Sequence, residues 1–278
     1  MSGRVLLTGA GGYLGTYLRR SLGVDSLDTT AWDGRQQVDL RDAEGLRREI
    51  DLVRPDIIIH AAAVSRPAAA VADPQAAGDV NTRATRVMAE SGSRVIYLSS
   101  DMVFDGEAGG YREDDPACPT GVYGRTKLEA ESAVLERGGV VLRLSLLFGP
   151  ARSERRSFFD EQVVALREGR AIHLFEDEWR TPLSVAVAAD AIAAFCRSGL
   201  GGLFHLGGPE RMSRLEMGRR LARFLGVSGA SIEACPRGSV SSSEPRPGDL
   251  SLDSSKWRAA FPKIPWPDFE DGLRAMMQ

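Results

Sequence analysis

The stretch VLLTGAGGYLG, residues 5–15, decides the fold of this chain of 278 residues. Its apolar run ends in a turn with glycine at positions 9, 12 and 15, which gives the spacing G-x-x-G-x-x-G. Glycine permits a tight turn and lets backbone N–H groups approach a pyrophosphate at the N-terminus of the following helix. The stretch therefore predicts a dinucleotide site between a first strand and a first helix, with an ordinary strand-to-helix turn as the alternative. The cofactor contacts expected here are Gly9, Gly12, Tyr13, Leu14 and Gly15.

The alternation of strand and helix continues through the first 150 residues. Apolar, β-branched runs predict strands at residues 4–7, 25–29, 56–60, 94–99 and 139–144, and amphipathic stretches predict helices at residues 15–22, 43–53, 73–91 and 123–137. This pattern is typical of the α/β class, as a Rossmann-type doubly wound parallel sheet with helices on both faces. Ligands in such sheets bind beyond the carboxyl ends of the strands. Residues 1–150 are therefore predicted to form an NAD(P)-binding domain.

The pattern becomes less regular after residue 150. Helices are predicted at residues 157–167, 184–196 and 213–225, and residues 239–245 form a loop by composition. We expect residues 151–278 to form a smaller C-terminal α/β region that binds the substrate, with some segments returning to the first domain.

Composition and charge exclude several classes of partner. The formal net charge is −3 and no basic block occurs, which argues against nucleic acid and anionic membranes as partners. No apolar run approaches the roughly 18 residues of a membrane span, and the start of the chain lacks the pattern of a secretory signal. The cysteines, Cys118, Cys196 and Cys235, are odd in number and scattered, which indicates a reduced, cytoplasmic setting and no metal site. A homodimer is left open.

The choice between the two nicotinamide cofactors depends on Asp28. This residue lies near the end of the predicted second strand, where a carboxylate can accept hydrogen bonds from an adenosine ribose. A carboxylate there repels a 2′-phosphate, although Arg35 could hold that phosphate and Asp28 could instead begin a turn. The cofactor is therefore expected to be NAD(H) or NADP(H), with NAD(H) slightly favoured.

Two further segments are suited to the dinucleotide. Asp39 and Leu40 are expected at its adenine end, and Ala61, Ala62 and Ala63 provide a flat floor of small side chains after the third predicted strand. Ordinary core alanines are the alternative for that floor. The preceding His60 is interpreted as a packed polar residue and not as a metal ligand.

Three polar residues predict the chemistry. Tyr123 and Lys127 are four residues apart on a predicted helix, so their side chains share one face. A tyrosine hydroxyl titrates near 10, and a nearby ammonium and an oxidised nicotinamide are expected to lower its pKa by stabilising the phenolate. Ser100 leaves a different strand and can hydrogen-bond the substrate oxygen, while the adjacent Ser99 is expected to contact the cofactor together with Tyr123 and Lys127. The group predicts transfer of hydride to a carbonyl carbon while Tyr123 protonates the oxygen.

These residues resemble those of an extended short-chain dehydrogenase/reductase over essentially the whole chain. Within that family, the segment SSDMVFDG, residues 99–106, is similar to the STDYVFDG stretch of the dTDP-4-dehydrorhamnose reductases. The resemblance implies that Ser100 takes the place of the catalytic threonine and that Asp101 and Met102 contact the substrate. Met102 replaces the usual tyrosine, and the segment around Leu146 lacks the usual tryptophan, so the sugar pocket is altered. Asp101 is not followed by the glutamate that dehydratases use as a base, so dehydration is not expected.

The resemblance implies reduction of a keto-sugar nucleotide. An NAD-dependent epimerase is an alternative, because RPGD at residues 246–249 is close to the sequence of sugar-nucleotide epimerases. A non-catalytic, nucleotide-binding regulatory subunit is a second alternative.

A nucleotide diphosphate needs cationic donors, and arginine is suited to bidentate phosphate contacts. Arg180 lies in a segment that corresponds to the substrate-side loop of the resembling reductases, and Arg246 lies between two prolines that fix its backbone. Both are predicted to bind the substrate. The remaining candidates are Arg152, Arg155 and Arg156.

Overall fold

A parallel sheet forms the centre of the molecule in the computed structural model, which describes residues 3–24, 28–153, 156–227 and 231–277. In chain order the strands are β1 (Arg4–Thr8), β2 (Asp28–Trp32), β3 (Ile57–His60), β4 (Arg94–Ser100), β5 (Val140–Leu144), β6 (Leu147–Phe148), β7 (Ile172–Phe175), β8 (Trp179–Arg180), β9 (Leu183–Ser184), β10 (Gly202–Leu206), β11 (Met212–Ser213) and β12 (Ile232–Cys235). Six of them join in the order β10-β5-β4-β3-β1-β2, and each pairing in this sheet is parallel. The predicted α/β class and parallel sheet are therefore confirmed.

Helices cover both faces of this sheet. In the described part of the chain they are α1 (Tyr13–Val24), α2 (Ala43–Val53), α3 (Pro67–Ala72), α4 (Pro74–Ala77), α5 (Ala84–Ala89), α6 (Val122–Leu135), α7 (Phe158–Arg167), α8 (Val185–Arg197), α9 (Arg214–Phe224), α10 (Ser255–Ala260) and α11 (Phe269–Met277). Successive residues of a strand point to opposite faces. Val5 and Leu7 accordingly pack in one cluster with α1 and α8, whereas Leu6 packs in another with α2, α5 and α6. None of the described helices has the length and apolar character that a membrane crossing requires.

The C-terminal part of the chain contributes to two cores. β10 pairs with β5 at one edge of the central sheet, and α8 packs beside α1, so residues 185–206 complete the central sheet and the helical layer on one of its faces. Three two-stranded sheets, β8 with β11, β7 with β12 and β6 with β9, surround a separate apolar cluster that includes Phe148, Phe159 and Leu221. The chain therefore crosses between the two regions more than once after residue 150.

Two predicted elements differ from the structure. The second strand runs from Asp28 to Trp32, three residues beyond the predicted range of 25–29, of which residues 25–27 lie outside the described part of the chain. The predicted helix 73–91 is divided into α4, a π-helical segment (Gly78–Arg83) and α5. The π-helical segment carries Asn81, whose side chain accepts from the Val64 N–H at 2.9 Å and donates to Thr126 Oγ1 at 3.0 Å. Asn81 thereby joins the segment after β3 to α6.

Candidate active site

The glycine turn after β1 packs directly on the segment after β3. Gly9 has a φ of 69°, and a Cβ at this position would lie 2.6 Å from the backbone nitrogen of Ala62. Only glycine tolerates both the left-handed conformation and this close approach. The N–H of Gly12 closes the turn by donating to Gly9 O at 2.9 Å, and the Ala62 N–H donates to Thr8 Oγ1 at 3.2 Å. The result is a concave backbone surface at the start of α1, which fits the pyrophosphate of a dinucleotide.

The side chains beside this turn are already engaged within the protein. The Tyr13 hydroxyl donates to Gly149 O at 2.8 Å, and Leu14 packs against the core formed by α1 and α8. Gly15 lies in the first turn of α1, and Ala61 packs against the same core as Leu14. Cofactor contacts from these residues stay predictions. Because the Tyr13 hydroxyl already donates to Gly149 O, the backbone and the ring edge of Tyr13 are the parts left to contact a cofactor.

Asp28 does not occupy the position that the sequence predicted for it. It opens β2 and pairs with Arg4, at the amino ends of the strands, whereas the glycine turn follows their carboxyl ends. The prediction was wrong because the strand begins three residues later than its composition suggested. Asp33 takes the predicted place, since it follows Trp32 directly and its backbone oxygen lies 3.1 Å from where a Cβ of Gly11 would be. Its carboxylate forms an exposed ion pair with Arg19 at 3.2 Å.

The Asp39 carboxylate lies in the connection between β2 and α2. It accepts from Arg41 Nη2 at 2.6 Å, and hydrogen bonds from Arg41 lower the pKa of Asp39 to about 2. Asp39 is therefore ionised at neutral pH, and Leu40 beside it packs against the core on the α2 face. Their predicted contact with the adenine is compatible with this placement and stays a prediction.

Ser100 and Tyr123 meet where β4 ends and α6 begins. A hydrogen bond joins the Tyr123 hydroxyl to Ser100. Ser100 Oγ also donates to Asp101 Oδ1 at 3.1 Å and accepts from the Met102 N–H at 3.2 Å. Burial raises the pKa of Tyr123 to about 12, and the nearby Asp101 adds to this, while the hydrogen bond with Ser100 opposes it. Among the protein's own groups, desolvation therefore outweighs the other effects on the pKa of Tyr123, and the lowering by an oxidised nicotinamide stays a prediction.

Lys127 lies one turn further along α6. Its side chain is buried, and its Nζ lies 4.3 Å from the centre of the Tyr97 ring. Burial lowers the pKa of Lys127 to about 7, and Glu131 partly opposes that effect. Lys127 therefore changes charge near neutral pH, which is unusual for lysine.

A buried ion pair lies behind Lys127. Glu131, one turn further along α6, accepts from Arg143 Nη2 at 2.7 Å and Nε at 3.0 Å. Ser99 Oγ donates to the same carboxylate at 2.5 Å. The Ser99 hydroxyl is therefore directed into the protein interior, which leaves its backbone for the predicted cofactor contact.

Asp101 links the catalytic group to the C-terminal region. Its Oδ2 lies 3.5 Å from Arg180 Nε and accepts from Ser145 Oγ at 3.5 Å. Burial raises the pKa of Asp101 to about 6, although Arg180 and the hydroxyls of Ser100 and Ser145 act in the opposite direction. Met102, the next residue, follows in a short 3-10 turn and is half-buried beside this group.

A group of arginines extends from Asp101 away from the catalytic residues. Arg180 Nη2 and Arg214 Nε lie 3.4 and 3.9 Å from the same oxygen of Glu178. Arg214 Nη1 is buried and has no hydrogen-bond partner among the described residues. Burial lowers the pKa of Arg214 to about 10, and the positive charges of Arg180 and Arg246 contribute to this, whereas Glu178 opposes it. The guanidiniums of Arg180 and Arg214 therefore lie on either side of Glu178, and Arg246 is near enough to Arg214 for its charge to act on it, so the three make one cationic group.

Arg214 and Glu178 were not among the residues predicted from the sequence. Arg214 is the first residue of α9, and Ser213 before it caps that helix by accepting from the Glu216 N–H at 3.1 Å. A capped helix start next to a basic residue is too common to mark a site, so only the fold could indicate Arg214. Arg246 is exposed, with its guanidinium 5.0 Å from the centre of the Phe175 ring.

Within the described part of the chain, the other candidate arginines are not placed in this group by any contact. Arg152 lies over the Tyr17 ring at 4.6 Å, and Arg156 is exposed. Arg155 lies outside the described residues. Of the predicted arginines that lie within the described residues, Arg180 and Arg246 are near enough to Arg214 to lower its pKa, and their contact with the substrate stays a prediction.

Comparison with known proteins identifies the family. A model of the RmlD substrate binding domain matches residues 3–278. The chain belongs to the RmlD substrate-binding family. This confirms the resemblance to the extended short-chain dehydrogenase/reductases that the sequence motifs indicated.

The relatives of this RmlD-family chain include proteins named as methionine adenosyltransferase subunits and proteins named as sugar-nucleotide reductases. The chain is 31% identical to methionine adenosyltransferase 2 subunit beta of Mus musculus over 280 residues, which cover 92% of this chain and 81% of that protein. It is 30% identical to the dTDP-4-keto-6-deoxy-D-glucose reductase of Streptomyces niveus over 272 residues, 94% of this chain and 92% of that protein. Its fold matches the dTDP-4-dehydrorhamnose reductase of Bacillus anthracis, solved in complex with NADP, with a TM-score of 0.91 at 24% identity over 100% of this chain and 99% of that one.

Proposed function

We propose that this protein reduces the keto group of a keto-sugar nucleotide, with a reduced nicotinamide dinucleotide as the hydride donor. The observation that carries the proposal is that Tyr123 meets Ser100 where β4 ends and α6 begins, with Lys127 one turn further along that helix. Because β4, β3 and β1 are parallel, the end of β4 and the glycine turn after β1 lie at the same edge of the sheet. The similarity to the Streptomyces niveus reductase supports a sugar nucleotide as the substrate.

The chain's own residues supply the proton and the orientation. When bound, the reduced nicotinamide supplies the hydride. Tyr123 holds its proton at neutral pH, since its pKa is raised to about 12, and is therefore a proton donor for the substrate oxygen. Ser100 hydrogen-bonds Tyr123 and can donate to the same oxygen, so the carbonyl is held within reach of the phenol. Lys127, with its lowered pKa, lies on the same helix face and can return a proton to Tyr123 after each turnover.

We infer from Asp33 that NADH binds more tightly than NADPH. We expect Asp33→Ala to raise NADPH affinity at least about tenfold, equivalent to about 1.4 kcal/mol, because a carboxylate at the end of β2 repels a 2′-phosphate. Titration of both cofactors by nicotinamide fluorescence measures the change. Asp28→Ala, at the other end of the same strand, is the matched control and should leave the NADH-to-NADPH ratio unchanged. The reverse pattern would assign the ribose contact to Asp28.

The cationic group formed by Arg180, Arg214 and Arg246 is assigned to the substrate diphosphate. Arg180 already pairs with Asp101 and Glu178, so it also holds Asp101 beside Ser100. Arg246 has no ion pair with a carboxylate in the described ranges, and its exposed guanidinium is available to an anion. Arg214 adds a buried donor that lacks a partner there.

We expect Arg246→Ala to raise the KM for the sugar nucleotide about tenfold while leaving cofactor affinity unchanged. A charge-assisted contact to phosphate contributes to substrate binding and not to the chemistry at the keto group. Steady-state kinetics with varied sugar nucleotide measures this. Arg219→Ala, on the exposed side of α9, controls for the loss of one positive charge. An unchanged KM, or an equal loss of cofactor binding, would place the diphosphate elsewhere.

A regulatory role is the second candidate, and the similarity to methionine adenosyltransferase 2 subunit beta is the observation that favours it. A regulatory subunit does not need a proton donor, and the complete Ser100, Tyr123 and Lys127 group favours the reductase. An epimerase would use the same group in a closed hydride cycle.

A screen of nucleotide 4-keto-sugars with NADH and NADPH separates these functions. Stoichiometric oxidation of the cofactor marks a reductase, and conversion of a sugar nucleotide without added cofactor marks an epimerase. The absence of both, together with binding to a catalytic methionine adenosyltransferase subunit, marks a regulator and would overturn the proposal.

A further inference from the structure

A carboxylate from a distant segment holds the first turn of α6. Glu244 Oε1 accepts a hydrogen bond from the Val122 N–H at 2.7 Å, across 122 positions of sequence, and Arg125 Nη2 lies 3.8 Å from the same oxygen. The first N–H groups of a helix have no partner within the helix and need a cap. The N-cap residue of α6 is Gly121, which has no side chain to provide one. Glu244 supplies the cap that α6 lacks.

Gly121 is adapted to this contact. Its φ of −126° and ψ of 165° are extended, so its backbone conformation is open to any residue. A Cβ on Gly121 would nevertheless lie 2.5 Å from Glu244 Oε2, and the nearest atoms to that position all belong to Glu244. A side chain at position 121 would therefore force the carboxylate of Glu244 to shift, whereas the local backbone would accept it.

Glu244 belongs to a loop of the C-terminal region, residues 236–247. Arg237 fixes this loop, because its Nη1 donates to Arg246 O at 2.8 Å and its backbone N–H donates to Asp177 Oδ1 at 2.7 Å. Residues 241–243 are exposed and line an open cavity of about 760 Å³ together with Asp177, Arg237 and Arg246. Unlike the serines at positions 241–243, Glu244 is directed away from solvent, and its side chain is only 17% exposed.

We propose that Glu244 is a positioning residue that fixes the N-terminus of α6 and, through it, the direction of Tyr123 toward Ser100. The proposal rests on the proposed function for the role of Tyr123. Val122 immediately precedes Tyr123, so a shift of the first turn moves the phenol. Near-attack geometry is sensitive to such shifts, and a carboxylate at a helix N-terminus is electrostatically favourable. Arg246 is two residues from Glu244, so the loop that carries this arginine also holds the catalytic helix. Binding of the substrate diphosphate, which is remote from the keto group, can therefore orient the proton donor.

Kinetics of Glu244→Ala and Glu244→Gln test the positioning role. We expect Glu244→Ala to lower kcat about tenfold, with a smaller change in the KM for the sugar nucleotide and no change in cofactor affinity. Glu244→Gln should retain most of kcat, because its amide oxygen can still accept from the Val122 N–H. Ser242→Ala, an exposed position of the same loop, is the matched control. A wild-type kcat for the alanine variant, or an equal loss in the glutamine variant, would overturn the proposal.

Gly121→Ala provides an independent route to the same contact. Its Cβ should displace the carboxylate and reproduce the loss seen for Glu244→Ala, while the double variant should be no worse than Glu244→Ala alone. Additive losses in the double variant would contradict the proposal.

Hydrogen exchange of the Val122 amide gives a readout that does not depend on activity. We expect faster exchange in Glu244→Ala and in Gly121→Ala than in the wild type and in Ser242→Ala. Unchanged exchange would overturn the positioning role. Absence of turnover by the wild type on every keto-sugar nucleotide would overturn the proposed function alone, because the exchange measurement would still test Glu244.

Discussion

Replacing Tyr123 with phenylalanine is expected to lower kcat at least about a hundredfold, which is the usual contribution of a placed general acid. The substitution removes the phenolic proton and the hydrogen bond with Ser100. The aromatic ring, which lies in the first turn of α6, is retained. Cofactor affinity should stay near the wild-type value, because the glycine turn after β1 is not affected. Single-turnover oxidation of the reduced cofactor with a keto-sugar nucleotide measures the chemical step directly.

Tyr17→Phe is the matched control for this experiment. Its hydroxyl donates to Pro150 O at 2.7 Å, on α1 and apart from the catalytic group, so its loss should leave kcat close to the wild-type value. Near-normal turnover in Tyr123→Phe would remove Tyr123 from the mechanism. The same result would also contradict the role proposed for Glu244, which acts through Tyr123.

Replacing Lys127 with methionine is expected to lower kcat by about a hundredfold and to make the protein more stable below pH 7. The catalytic loss follows from removing the ammonium one turn from Tyr123 on α6, which is proposed to replace the proton of Tyr123. The gain in stability follows from burial, because desolvation of the ammonium lowers the pKa of Lys127 to about 7 in the folded protein. Methionine fills the same apolar space beside the Tyr97 ring without a charge.

The pH dependence of this gain has a defined sign. The folded pKa of Lys127 lies near 7 and the unfolded value lies near 10.4. Between these values the unfolded chain binds more protons, so the free energy of unfolding of the wild type rises with pH. The advantage of Lys127→Met should therefore be full below pH 7 and should disappear as the pH approaches 10.

Thermal unfolding of both proteins at pH 6 and pH 9 measures the difference. Lys256→Met is the control, since the Lys256 ammonium is exposed and donates to Leu203 O at 2.7 Å. A Lys127→Met variant that is less stable than the wild type at pH 6 would show that the buried ammonium is stabilised by Glu131 more than it is penalised by desolvation.

The local patterns of the sequence determined the main elements of the site. The glycine spacing predicted the turn between β1 and α1, and the Tyr123-to-Lys127 spacing predicted two side chains on one helix face. Both predictions depend on the backbone geometry of adjacent residues, which is set by glycine conformation and by helix periodicity. The alternation of strands and helices determined the parallel sheet for the same reason, because each strand and helix carries its own apolar periodicity.

Tertiary structure decided the features that depend on register and on distant contacts. The start of β2 shifted by three residues, which placed Asp28 at the amino edge of the sheet and Asp33 beside the glycine turn. The raised pKa of Tyr123 depends on how deeply α6 is buried, which side-chain spacing does not specify.

The contacts of Arg214 and Glu244 likewise follow from how the C-terminal loops fold back onto β8 and α6. The sequence by itself therefore determined which chemistry the chain carries, because that chemistry resides in short motifs with fixed local geometry. Tertiary structure alone decided which charges surround the reacting groups, because those charges come from residues separated by tens to more than a hundred positions and are brought together by packing.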